Sequence, residues 1–197
     1  MNKFSTKDPE FPCGTFPPKW NKPITEKMAA DYESKHGITL PSDYRKFITT
    51  VTDGCTQPFY GLYSLYKSPE NSKDVAVNEK FPYTIEQPLD IFKLFDEEYD
   101  AIYETEEINI DAGFLFLCHE GYGMYSILIV NTDDENTYGT VWYYDLANDA
   151  GIFPLTNPKN NSTMNFLDWL EYYVGKTLEL DDSDYFSYTD LIKFEEN

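Results

Sequence analysis

The chain is poor in the residues that build metal and redox sites. Among 197 residues there are two histidines, His36 and His119, and three cysteines, Cys13, Cys55 and Cys118. The cysteines are odd in number, far apart and without a CxxC pair, which argues against a disulfide framework and against a zinc knuckle. They are expected to be reduced, with at least two of them buried. Cys118-His119-Glu120 sets three ligating residue types in a row, but neighbours on a strand point to opposite faces and would not converge on one ion. Gly121-Tyr122-Gly123 lacks the third glycine and the following helix that cradle a phosphate, so it reads as a turn between strands. No GxSxG is present, no Cys-His spacing matches a known nucleophile arrangement, and carboxylates are too numerous for a catalytic pair to be singled out. The expectation is a non-enzymatic protein with no cofactor and no metal.

Long apolar runs are lacking too. Stretches such as Ile127 to Val130 are far shorter than a membrane span, and Met1-Asn2-Lys3-Phe4, followed by Lys7, Asp8 and Glu10, has no signal-type apolar region. The expected location is therefore the cytoplasm, away from membranes. The scarcity that says most concerns positive charge. The chain carries 35 Asp and Glu against 15 Lys and Arg, a net charge of −20. Residues 1–80 are nearly balanced, with 10 acids and 11 bases; residues 81–197 hold 25 acids and four bases, Lys93, Lys159, Lys176 and Lys193. Such a field repels nucleic-acid backbones and anionic membranes and steers basic partners, at rates that fall as salt screens it. Acidic surfaces also confer solubility, so charge taken alone leaves both readings open.

What is present is enough to fill one core. Hydrophobic residues make up 41% and aromatic residues 17% of the chain, which points to a single domain rather than a disordered or two-domain chain. Residues 1–23, rich in proline, read as an extended arm. Ile24, Met28 and Tyr32 predict a helix from about Ile24 to His36, closed by Gly37. Tyr44, Phe47, Ile48 and Val51 predict a second helix, capped by Ser42 and ended by Gly54. Strands are expected at Phe59–Leu65, Phe114–Cys118, Tyr125–Val130, Thr140–Tyr144 and Ile152–Leu155, with Asn131 to Tyr138 as the loop of an antiparallel hairpin. Phe166, Trp169, Leu170 and Tyr173 predict a third helix from about Thr163 to Val174, capped near Ser162 or Thr163 and closed by Gly175. The acidic, aromatic residues 179–197 form a tail that either packs or frays.

The densest acidic stretch joins Asp96, Glu97, Glu98 and Asp100 to Glu104, Glu106, Glu107 and Asp111, with no base among them. If a helix continues from Phe92 to Phe95, like charges four apart destabilise each other and a cationic partner would relieve them. Tyr99 and Tyr103 are candidate aromatic anchors in this stretch. Asp133, Asp134 and Glu135, in the hairpin loop, form a second candidate patch. A solvated acidic face is the alternative for both.

Tyr32-Glu33, Gly37-Ile38, Leu40-Pro41, Asp43-Tyr44, Phe47-Ile48 and Asp53-Gly54 together resemble the opening signature of the SMI1/KNR4-like (SUKH) superfamily. Phe81-Pro82-Tyr83-Thr84 with Pro88, Gly113 to Leu117, Glu120 to Gly123, Leu128 to Val130, Gly139 to Trp142 and Phe166 to Leu170 follow in the family's order. The likeness spans about residues 24–178. It implies an α+β fold in which a twisted, mainly antiparallel sheet is flanked by helices. In bacteria it implies an immunity protein that neutralises a secreted toxin, often a nuclease, by stoichiometric binding. The alternative is an intracellular scaffold or regulatory adaptor, as the fungal relatives look to be. The matching residues Leu40, Pro41, Tyr44, Gly54, Gly113, Gly139 and Trp142 read as fold-defining and transfer no catalytic role. A nuclease needs a basic cleft, so an acidic inhibitor fits the charge reading as well. The expected partner is a cognate protein toxin with a basic surface.

Overall fold

A computed structural model describes residues 19–66, 75–91, 109–179 and 187–192. Two helices come first. Helix α1, Glu26–His36, starts where the Thr25 hydroxyl accepts a hydrogen bond from the Met28 amide and stops at Gly37, whose left-handed backbone lets its amide reach the Glu33 carbonyl. Its core face is Ala29 and Tyr32; Met28, expected there, is 41% exposed. Helix α2, Ser42–Thr50, is anchored to α1 by Arg45, which pairs with both Glu26 and Glu33, while Glu33 also accepts the Leu40 amide.

Three expectations for α2 change. Ser42 makes no capping bond; the first turn is entered from Pro41, whose carbonyl accepts the Arg45 amide. The buried stripe is narrow, because Tyr44 and Ile48 are enclosed, Phe47 is half-buried and Val51 is 52% exposed. The helix also ends before Gly54. That glycine serves a close approach instead: a Cβ on it would sit 2.8 Å from the Leu62 carbonyl oxygen.

A five-stranded antiparallel sheet follows, from strands β1 (Leu89–Asp90), β2 (Phe114–Gly121), β3 (Met124–Ile129), β4 (Val141–Asp145) and β5 (Gly151–Pro154), in the order β1-β5-β4-β3-β2. The predicted strand at Phe59–Leu65 is not one. Cys55 and Leu62 make single bridges with each other, and Leu62 one with Cys118, around a turn containing the cis Gln57-Pro58 bond. Its aromatic residues are spent on packing rather than on a ladder: Phe59 meets Tyr173 and Tyr188. The two-residue β1 carries no periodic signal long enough to read from sequence.

Helix α3, Phe166–Glu179, starts and ends later than expected. Asn165, not Ser162 or Thr163, does the capping: its side-chain oxygen accepts the Asp168 amide while Asp168 accepts the Asn165 amide. Gly175 lies inside the helix. In the tail, a 3-10 turn at Tyr188–Leu191 packs, with Tyr188 fully buried and stacked on Trp169, and the Leu191 carbonyl accepting the Thr156 amide.

The sheet separates two cores. On one face Leu117, Cys118, Leu128, Val130, Val141 and Tyr143 pack against the helices and the Tyr188 turn. On the other, Phe81, Phe114, Ile127, Ile129, Trp142 and Ile152 form a second cluster under the segment around Phe81. Among the described residues, no helix is long and apolar enough to cross a membrane.

Candidate partner-binding surface

Strand alternation decides which side chains reach each face, and β2 interrupts its own alternation. The pairing of β2 with β3 shifts between Phe116 and Cys118. This irregularity places Leu117 and Cys118 in succession against the helices and returns His119 to the face of Phe116. Cys118 and His119 thus lie on opposite sides, and no group of three ligating residues capable of holding a metal exists among the described residues. Burial pushes the Cys118 thiol well above its ordinary pKa and raises Cys55 as well, which suppresses the reactive thiolate at both.

Glu120 is the most perturbed carboxyl. It is 3% exposed beneath α3, the Ser126 hydroxyl donates to its Oε1 at 2.5 Å, and the Trp169 indole donates to Ser126 in turn. Its Oε2 makes no hydrogen bond. Burial raises its pKa to about 8, outweighing the Ser126 hydroxyl and the nearby Tyr188 amide, so it is mostly protonated at neutral pH. From this enclosed position it joins β2 to β3 and α3 through Ser126 and Trp169.

Among the described residues, three surface features stand out. The loop between β3 and β4 carries Asp133, Asp134 and Glu135. Asp134 holds the loop in shape, accepting from the Asn136 amide at 3.1 Å and from the Thr137 hydroxyl at 2.5 Å, and these bonds lower its pKa. Asp133, with its side chain 88% exposed, pairs with Lys80, and Glu135 is exposed. Beside this loop, Gly37, Ile38, Thr39, Val130 to Thr132 and Tyr138 line an open cleft of about 460 Å³, bridged by the Tyr138 hydroxyl bonding to the Thr39 carbonyl.

The second feature is a small apolar cavity of about 110 Å³ lined by Phe47, Cys55, Leu62, Leu170, Tyr173 and their neighbours, with Trp20 at its exposed rim. The third lies at the opposite end of the sheet from the acidic loop. The register aligns His119 with Tyr125 and Tyr125 with Tyr144, making a cross-strand row of rings on the face away from the helices. Phe116 joins it, Tyr60 lies over His119, and all five rings stay at least partly exposed. Burial holds the His119 imidazole below its ordinary pKa, so it is neutral at pH 7.

Residues 23–171 match the SMI1 / KNR4 family (SUKH-1). The chain belongs to that family. No curated protein and no solved structure gives a match.

Leu40, Pro41, Tyr44, Gly54, Gly113 and Trp142, among the matching residues, are buried. Leu40 and Tyr44 are core residues, Trp142 is fully buried with its indole donating to Thr140, and Asp53 accepts the Leu65 amide and the Ser64 hydroxyl to pin the loop after α2. A Cβ on Gly113 would lie 2.3 Å from the Phe81 amide nitrogen, at a φ of +73°. Of the candidate contact residues, Asp96, Glu97, Glu98, Tyr99, Asp100, Tyr103, Glu104, Glu106 and Glu107 lie outside the described residues, as does the helix expected from Phe92. Asp111 is 7% exposed and accepts a 2.7 Å hydrogen bond from the Tyr144 hydroxyl, a role inside the SUKH-1 domain rather than on its rim. Asp133, Asp134 and Glu135 sit together in the hairpin loop. The ring row of Tyr60, Phe116, His119, Tyr125 and Tyr144 is not legible in the sequence. Its only signal was aromatic side chains alternating along strands, which also describes a buried face.

Proposed function

We propose that the protein is an immunity protein that binds a cognate secreted toxin stoichiometrically and neutralises it without catalytic turnover. The observation that carries this reading is the charge asymmetry within a SUKH-1 chain: residues 81–197 hold 25 acids against four bases. A toxin that handles nucleic acid presents a basic cleft, and carboxylates can occupy the places of its phosphates. The ordered Asp133–Glu135 loop supports the reading, because a pre-shaped loop loses little entropy on binding.

The test is co-expression with a toxin domain encoded beside this chain, scored by cell survival, with association rates measured at low and high salt. Wild type should protect the cells, and association should slow as salt rises. Reversing Asp96, Glu97, Glu98 and Asp100 to Lys, or Asp133 and Glu135 to Lys, should slow association without unfolding the protein. Failure of wild type to protect against any neighbouring toxin would overturn the reading in favour of a regulatory adaptor, and reproducible turnover on a substrate panel, abolished by one point change, would overturn the non-enzymatic part.

A further inference from the structure

The ring row has a chemistry that the acidic loop does not share. Tyr125 sits between His119, 4.8 Å away between centroids, and Tyr144, 6.2 Å away. Phe116 meets Tyr125 at 4.7 Å, and Tyr60, 59% exposed, extends the row at 5.2 Å from His119. Beyond it, Tyr122 is 89% exposed at the tip of the β2–β3 turn, and Asn148 of the β4–β5 turn donates to its carbonyl.

The described cations of residues 80–197 lie elsewhere. Lys159 pairs with Glu171, Lys176 sits over Tyr172 on the helix-covered side, and Lys80 is drawn to Asp133 at the far end of the sheet. One carboxylate does reach the row, Asp111, which accepts from the Tyr144 hydroxyl. A purely apolar occupant would strip water from the phenol and imidazole groups and return no hydrogen bond. A cation is attracted by ring faces, phenol oxygens and the surrounding negative field together, and guanidinium is planar, stacks on rings and is weakly hydrated.

We infer that this aromatic row is a docking surface for an arginine side chain presented by a basic protein partner. The inference rests on the neutralisation reading for the identity of that partner and deepens it by naming the side chain that engages the sheet. Arg is favoured over Lys because the compact ammonium keeps its water more tightly.

The experiment titrates full-length protein with N-acetyl-arginine methylamide and follows the aromatic protons by NMR, with the lysine and norleucine analogues as controls. Expected are saturable shifts with nuclear Overhauser contacts from the arginine δ-protons to the rings of Tyr60, His119 and Tyr125. The lysine analogue should bind several-fold more weakly and norleucine should give no such contacts. Tyr60→Leu and His119→Leu should each weaken arginine binding roughly five-fold, whereas Asp133→Asn with Glu135→Gln should leave it unchanged. Absence of ring contacts in wild type, or equal binding of all three analogues, would overturn the inference. Because arginine binding is read without any toxin, the two readings separate. Ring contacts without cell protection would sink neutralisation alone, and protection without ring contacts would sink the docking surface alone.

Discussion

Leu117, Leu128, Val141 and Tyr143 face the helices and are at most 1% exposed, while Phe116, His119, Tyr125 and Tyr144, from the same three strands, stay half-buried on the other side. Both faces of these strands carry apolar side chains, and among the described residues the cover differs. One side has α2, α3 and the Tyr188 turn, with Ser126 bonded to Glu120 and accepting from Trp169. Among the described residues, the other has the Phe81 segment over one end, and the remaining rings pack on each other while Tyr144 bonds to Asp111. A sheet face can therefore carry aromatic residues without being fully buried.

Truncation on the helix side should give the largest effect. Trp169 is fully buried and its indole is bonded, so Trp169→Ala should cost about 3–5 kcal/mol in urea unfolding. Phe116→Ala, on the open side, should cost roughly 1–2 kcal/mol, because a half-buried ring recovers part of its hydration. Equal losses at the two positions would break the contrast between the faces.

Next in size is the pH dependence of the closed side. The Glu120 carboxyl titrates near 4.5 when unfolded and near 8 when folded, so the native state holds the extra proton between those values. Stability should thus be fully present below about pH 4.5 and decline as pH rises toward 8, with a loss on the order of a few kcal/mol beyond it. Glu120→Gln should flatten that slope and be the more stable protein at pH 9, as thermal melts across pH would reveal. An unchanged slope would mean that the site is open to water.

Phe47→Ala tests the boundary between the faces of α2. Phe47 touches Phe166 but is only half-buried, and the expected cost is about 1–3 kcal/mol by urea midpoint. A loss as large as that of Trp169→Ala would place Phe47 fully in the core. The smallest effect belongs to Tyr122, whose φ is +50°: Tyr122→Gly should be neutral or gain up to about 1 kcal/mol by relieving that backbone. A clear destabilisation would show that its exposed ring packs against the neighbouring turn.

Legibility in the sequence followed the length of the repeating pattern. The long strands β2, β3 and β4 and the hairpin between the last two are readable because runs of β-branched and aromatic residues bounded by turn residues leave few other choices. Phe59–Leu65 misled because aromatic enrichment fits a packed turn as well as a strand. The acidic loop could be located by its turn residues and its charge. The ring row could not, since Tyr60 is brought to His119 only by the turn at Gln57-Pro58 and the shifted pairing in β2.

Composition and pattern were enough for the two opening helices, the central strands and the weight of negative charge in the second part of the chain, and the family resemblance added the α+β class. These follow from local rules, in which each residue's periodicity and charge are its own. Which face of the sheet is closed, that Glu120 keeps its proton, that Asp111 turns inward to Tyr144, and that five distant rings form one row were decided by the tertiary structure. Burial and ring contact are properties of pairs far apart in sequence, and the pairing shift in β2 between Phe116 and Cys118 sets Leu117 and Cys118 on one face and His119 on the other.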